Sequence, residues 1–245
     1  MIEKLKFIYR AFKYRFSHDK TEINYLLTHI NSGATVIDIG CHKGAYLYWM
    51  QKKVTTTGQV FAFEPQPILA NYLKNCIGLF GYKNITIENM GLSNTNGTLD
   101  LFIPVGSKKT SPGATFNTDK PVNEKCDSVS IAVTTLDNYC GAKNIQPQFL
   151  KIDVEGYELE VLTGAENTLR KHKPNILFEC EARHTSEDKM MATFNYLKQI
   201  GYKGYFISKN EVLPIEEFNA KKHQVSIGEN FWDSPDYCNN FIFEG

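Results

Sequence analysis

The chain reads as an α/β domain built on an open, mostly parallel sheet. Runs of β-branched and aromatic residues alternate with stretches whose apolar residues recur every three or four positions. The first strand-like run ends in a glycine-bearing turn, and prolines or glycines close several of those that follow. Parallel neighbours need helix-length, right-handed crossovers. Roughly seven core strands with helices on both faces therefore fit one domain.

The elements follow in order. Residues 1–30 form an N-terminal amphipathic helical segment, with Leu5, Ile8, Tyr9, Phe12 and Phe16 at three- and four-residue steps. Over residues 1–16, Lys4, Lys6, Arg10, Lys13 and Arg15 face only Glu3, so two readings stay open. The segment lies on an anionic membrane surface at the inner face of a membrane, or it caps the main domain or a subunit partner in a homo-oligomer. Residues 31–245 form the main domain. Strands are expected at Thr35–Gly40, Val60–Glu64 and Ile85–Glu88, with helices over Ala45–Lys53 and Pro67–Phe80. Residues 97–140 break the rhythm and read as an inserted β-hairpin, Thr98–Ile103 with Ser128–Val133, that brings no core of its own. Pro104, Gly106, Pro112, Gly113 and Pro121 mark the loop over 104–127 as mobile, either closing over an acceptor or lying plainly on the surface. The alternation resumes with strand Phe149–Val154, helix Glu158–Lys171, strand Asn175–Glu181, helix Asp188–Ile200 and closing strands at Tyr205–Ser208 and Phe241–Glu244.

Composition narrows the function. The 27 Lys+Arg cancel the 27 Asp+Glu, which leaves no electrostatic footprint for nucleic acid. No apolar run approaches the roughly 20 residues that span a bilayer. Six cysteines without a C-x-x-C pair fit neither a zinc site nor a disulfide framework. They suit a reducing compartment, the cytoplasm.

In open α/β sheets ligands bind beyond the carboxyl ends of the strands. The first such end reads Asp38-Ile39-Gly40-Cys41-His42-Lys43-Gly44, a D-x-G-x-x-x-G turn rather than the G-x-G-x-x-G that cradles a pyrophosphate. About twenty residues on, Glu64 can accept hydrogen bonds from two ribose hydroxyls. Together they point to a nucleoside-bearing cofactor without a pyrophosphate.

The chain resembles the FkbM-type methyltransferases, which use S-adenosylmethionine (SAM). The resemblance runs from about Thr35 to Phe243. It rests on VIDIGCHKGAY (36–46), VFAFEPQP (60–67), NITIENMGLSNTNG (84–97), TTLDNY (134–139), LKIDVEGYELEVLTGA (150–165), ILFECEARH (176–184) and the final NNFIFEG. It implies the class I SAM-dependent methyltransferase fold, Rossmann-like, and methylation of hydroxyl groups, often on sugars or glycosylated metabolites. By this resemblance Asp38, Gly40 and Gly44 surround the methionine part of SAM, with His42 in the same turn, and Glu64 holds the ribose. Asn89 falls where the fold contacts adenine, or is a turn residue before Gly91. His42 and Lys43 stand where many relatives look like Ala-Asn-x-Gly.

Lys151, Asp153 and Glu155 share one strand parity, and Leu177, Glu179 and Glu181 another. Several acids thus converge near the ends of neighbouring strands, where buried acids are paired, metal-bound or catalytic. One reading pairs Lys151 with Asp153 or Glu179 for structure alone; the other makes the cluster an active site. A sugar hydroxyl needs a group to accept its proton. Asp153 is the first candidate base and His184 the second. A magnesium-like ion held by Asp153, Glu179 and Glu181 is the other mechanism, less favoured. The expected function is SAM-dependent O-methylation of a sugar, glycan or glycosylated small molecule. The alternatives are N- or carboxyl-methylation of a small molecule, or a non-catalytic binding protein on the same fold.

Overall fold

The computed structural model describes residues 2–105, 110–118, 125–228, 231, 234 and 236–245. α1 (Ile2–Lys13), a π-helical turn over Tyr14–His18 and α2 (Lys20–His29) precede β1 (Thr35–Ile39). Then come α3 (Ala45–Val54), β2 (Gln59–Phe63), α4 (Pro67–Phe80), β3 (Ile85–Glu88) and the short β4 (Gly91–Leu92). The insert is β5 (Gly97–Pro104) and β6 (Cys126–Thr134), followed by α5 (Leu136–Lys143) and β7 (Phe149–Ile152). The chain ends with α6 (Glu158–Thr163), α7 (Glu166–His172), β8 (Asn175–Glu179), α8 (Glu187–Gln199), β9 (Lys203–Ser208), β10 (Glu211–Pro214), α9 (Ala220–His223) and β11 (Asn240–Glu244).

The central sheet has the order β10-β9-β11-β8-β7-β1-β2-β3. β3, β2, β1, β7 and β8 are parallel neighbours, and β11 runs antiparallel between β8 and β9. The seven expected strands are present. An eighth, β10, pairs antiparallel with β9 at the edge. Its four residues are mostly exposed, so no burial pattern announced it.

Local chemistry sets the element ends. Pro67 opens α4, where its missing N–H costs nothing, and Gly81 closes it in the left-handed region. Ser186 caps α8 by accepting the Lys189 N–H at 3.1 Å. The helix expected over Glu158–Lys171 is split, because the Gly164 carbonyl turns aside to accept the Asp137 N–H at 3.1 Å. Two strands end earlier than expected, β7 at Ile152 and β8 at Glu179. Beyond β7 the chain turns through Glu155 at φ 56°, and beyond β8 the Cys180 N–H bonds to Asn239 O.

The insert pairs β5 with β6, and β4 joins it as a third strand. Contrary to expectation it carries a small cluster of its own, Leu101, Phe116, Ile131 and Val133. Four side chains make a satellite of the main core, not a domain. Of the loop expected to be mobile, residues 106–109 and 119–124 lie outside the described residues.

The N-terminal segment belongs to the main core: Phe7, Ile23, Leu26 and Ile30 pack with Val36, Leu47 and Leu73. The stripe read from the sequence is not what packs. α1 buries Phe7 and Ala11, while Leu5, Tyr9 and Phe16 stay 61–69% exposed. Among the described residues no helix is long and apolar enough to cross a membrane.

Candidate active site

β1 delivers Asp38 to its carboxyl end, and the turn that follows is shaped by Gly40. The N–H groups of Gly40 and Cys41 both donate to Phe63 O, at 2.9 and 3.1 Å. Gly40 has φ 78°, and a Cβ there would sit 1.8 Å from the Asp153 carbonyl oxygen. Only glycine lets the ends of β1 and β7 meet this closely. Gly44 is a tight packing point: a Cβ would meet the Phe7 ring at 2.7 Å and Leu73 at 2.9 Å.

Beside this turn lies a cavity of about 750 Å³. Asp38, Gly40 and His42 line it, as do Asp153, Glu155, Glu179 and Glu181. The structure thus gathers seven of the eleven expected residues around one space. Gly44, Glu64, Asn89 and His184 stand outside its lining. Glu64 is buried beside the turn, accepting the Gln66 N–H at 2.9 Å and the His42 backbone N–H. Burial outweighs those bonds and pushes its carboxyl up to about 8. Asn89 is exposed and donates to Glu64 O and Pro65 O, both at 2.9 Å, so its amide clamps the loop after β2. His184 lies behind the acids, its Nε2 3.1 Å from Glu155 and 3.6 Å from Glu181.

The acids surround one cation. The Lys151 side chain is 2% exposed, with Nζ 3.6 Å from Asp153 and 5.1 Å from the centre of the Tyr46 ring. Burial alone would favour the neutral amine, but Asp153, Glu179, Asp38 and Asp19 together hold its pKa above the usual value. Each carboxyl then differs by its partners. Burial raises Asp38 to about 7 despite Lys151, and its Oδ2 is buried without a hydrogen bond. Burial and the neighbouring Asp153 hold Glu179 well above the carboxylate range against the pull of Lys151; Asn239 donates to it at 2.8 Å. Glu181 goes the other way. Burial would raise it, yet hydrogen bonds from His184, Arg183 and Tyr237 hold it well below the usual range. Arg183 grips it at two points, 2.6 and 2.8 Å, and Tyr237 donates as well. Asp153 alone of the four is 37% exposed to the cavity. Among the described residues no three His, Cys, Asp or Glu side chains are grouped to hold a metal ion.

Two parts of the wall escaped sequence reasoning. The π-helical turn and α2 bring Tyr14, His18, Asp19 and Glu22 to the cavity, with the Tyr46 hydroxyl donating to Asp19 at 2.9 Å. No motif marks these residues; the only signal was the break in helical periodicity after Phe16. The insert also reaches in. Gln66 donates to Ser111 O and accepts the Ser111 N–H, at 2.9 and 3.0 Å. Thr115 donates to Glu155 O at 2.8 Å, and Asn117 to His184 O at 2.9 Å.

Parallel strands in the order β3-β2-β1-β7-β8, closed by an antiparallel β11 between β8 and β9, define the class I SAM-dependent methyltransferase fold. The model of the Methyltransferase FkbM domain matches residues 38–204, more than half of the chain, and the chain belongs to that family. The chain is similar to the crystal structure of Methyltransferase FkbM from Methylobacillus flagellatus KT, with a TM-score of 0.55 and 18% identity over 99% of this chain and 55% of that one. Cofactor-bound Rv0187 from MTB superposes with a TM-score of 0.53 at 11% identity, covering 100% of this chain and 89% of that one. Methyltransferase 1 of Beauveria bassiana (strain ARSEF 2860) is 23% identical over 163 residues, 60% of this chain and 65% of that protein. At these identities the solved structures speak for the fold.

Proposed function

We propose that this protein transfers a methyl group from SAM to a hydroxyl of a sugar, glycan or glycosylated metabolite. The observation that carries the reading is the junction of the Asp38–Gly40 turn with the acid cluster around Lys151 in one cavity. The residues present suit SAM. Asp38 offers a buried carboxylate oxygen without a partner, which a cationic ligand would satisfy. Glu64 retains acceptor capacity beyond its two backbone N–H bonds for a pair of ribose hydroxyls. When bound, SAM supplies an activated methyl group on a sulfonium sulfur.

The chain's own groups do the rest. Most of the acceleration comes from holding the acceptor oxygen in line with the methyl carbon and sulfur. Carboxylates, a protonated carboxyl and an amide arrayed on one wall, as at Asp153, Glu179 and Asn239, match the alternating donors and acceptors of a polyol. Asp153 accepts the hydroxyl proton as the new bond forms. Glu181, tied to Arg183 and Tyr237, is a poor base and serves as the anchor that orders the wall. Lys151 keeps the acids together by its charge.

Incubation with methyl-labelled SAM and a panel of free, nucleotide-linked and glycoside sugars tests the reading. The expected product is a methyl ether on one sugar class. Label found only on amines or carboxylates, with none on hydroxyls, would contradict it.

A further inference from the structure

α1 and the turn after it carry two apolar faces, and the domain uses one. Phe7 and Ala11 are buried against the domain, with the Phe7 ring 5.5 Å from Phe80. Ile2, Leu5, Tyr9, Phe12 and Phe16 are 41–69% exposed. Their steps of three and four form one stripe, roughly 160° round the helix from Phe7 and Ala11 at 100° per residue. A helix resting on a domain in water presents charge on that side; here the outermost line is apolar and continuous.

The surroundings say what covers it. Lys6 and Lys13 stand exposed along one edge. At the other end the stripe runs into an aromatic group, with Phe12 5.1 Å from Trp49 and 6.0 Å from Tyr48. Lys52 lies over Tyr48 and Arg15 over Trp49, at 5.8 and 4.9 Å. The chain as a whole is neutral, yet residues 2–16 hold five cations and one acid. Apolar line, basic flank and Trp/Tyr edge are the three features of a helix lying in a lipid interface.

We infer that residues 2–16 dock in the plane of an anionic lipid surface. Ile2, Leu5, Tyr9, Phe12 and Phe16 enter the acyl boundary, Lys6, Lys13 and Lys52 meet the headgroups, and Tyr48 and Trp49 sit at the interface. A second copy of the chain fits less well, since pairing two such stripes sets like charges against each other. Tyr14 and His18, on the same segment, line the cavity, so docking and acceptor access share one element.

Flotation with lipid vesicles tests the inference without any reading of activity. Vesicles of phosphatidylcholine with about 30% phosphatidylserine should carry the full-length protein, and pure phosphatidylcholine at least about tenfold less, with binding falling as salt rises. Leu5→Glu with Tyr9→Glu should abolish binding with the melting temperature unchanged, because both side chains are exposed. Lys6→Gln with Lys13→Gln should weaken only the anionic-vesicle binding. Equal flotation on both vesicle types, or wild-type binding by the Leu5→Glu/Tyr9→Glu protein, would overturn it. So would a wild-type dimer in sedimentation that the same variant converts to monomer.

Discussion

At the scale of single residues, Asp38 links cofactor affinity to pH. Its carboxyl is raised to about 7, so it carries a proton below that pH and a charge above it. A cationic ligand prefers the charged form, and binding then releases the proton. SAM affinity should rise about tenfold from pH 6 to pH 8 in calorimetry, and Asp38→Asn should flatten that dependence. Glu64→Ala should weaken SAM binding by at least about 1 kcal/mol, since it removes two hydrogen bonds worth about 0.5–1.5 kcal/mol each; unchanged affinity in the folded mutant would remove Glu64 from the ribose role. The sequence made the first set of residues legible because strand ends carry their ligand groups at fixed offsets from a glycine turn. It could not show the clamp that Asn89 makes on the loop after β2, or the bonds that make Glu181 a poor base, because partners in space decide both. Tyr237 and Asn239 reach the acids only because the segment leading into β11 returns beside β8.

At the scale of elements, alternation in periodicity located every inner strand of the sheet, since buried parallel strands are near-continuous apolar runs. The errors lie where burial is partial. β10 is an exposed edge, the helix after β7 is broken by a backbone bond from α5, and the stripe of α1 points away from the domain. The insert's role was visible only as an interruption. Through Ser111, Thr115 and Asn117 it holds the loop after β2, the turn at Glu155 and the backbone at His184. Glu155 sits at φ 56°, a conformation that a non-glycine residue keeps only where its surroundings fix it. Replacing residues 105–125 with a short Gly-Ser linker should therefore abolish turnover. A fully active replacement would make the insert a plain surface loop.

At the scale of the whole molecule, the buried acids set the pH range of stability. Asp38, Glu22 and Glu158 are raised by burial to about 7, and Glu64 to about 8. Groups whose folded pKa exceeds the unfolded value hold protons in the native state. The stability they confer is complete below about 4 and is lost as pH rises through 7 and 8. His42 runs the opposite way: burial lowers it to about 4, so its contribution is lost as pH falls from about 6.5 towards 4. Four carboxyls outweigh one imidazole, so the ligand-free protein should be most stable at about pH 4–5 and melt at least about 5 °C lower at pH 8.5. A flat profile would mean that these carboxyls reach water.

The claim that the acid cluster performs proton transfer for methylation at a hydroxyl stands or falls on Asp153. With a sugar acceptor from the labelled-SAM panel, Asp153→Asn should bind SAM in calorimetry as the wild type does and transfer label roughly 10²–10⁴ times more slowly. The amide keeps the shape and a hydrogen bond, so a loss of that size reports the proton. If Asp153→Asn instead lowers the melting temperature and leaves turnover unchanged, Asp153 is only the partner of Lys151, and the cluster is structural.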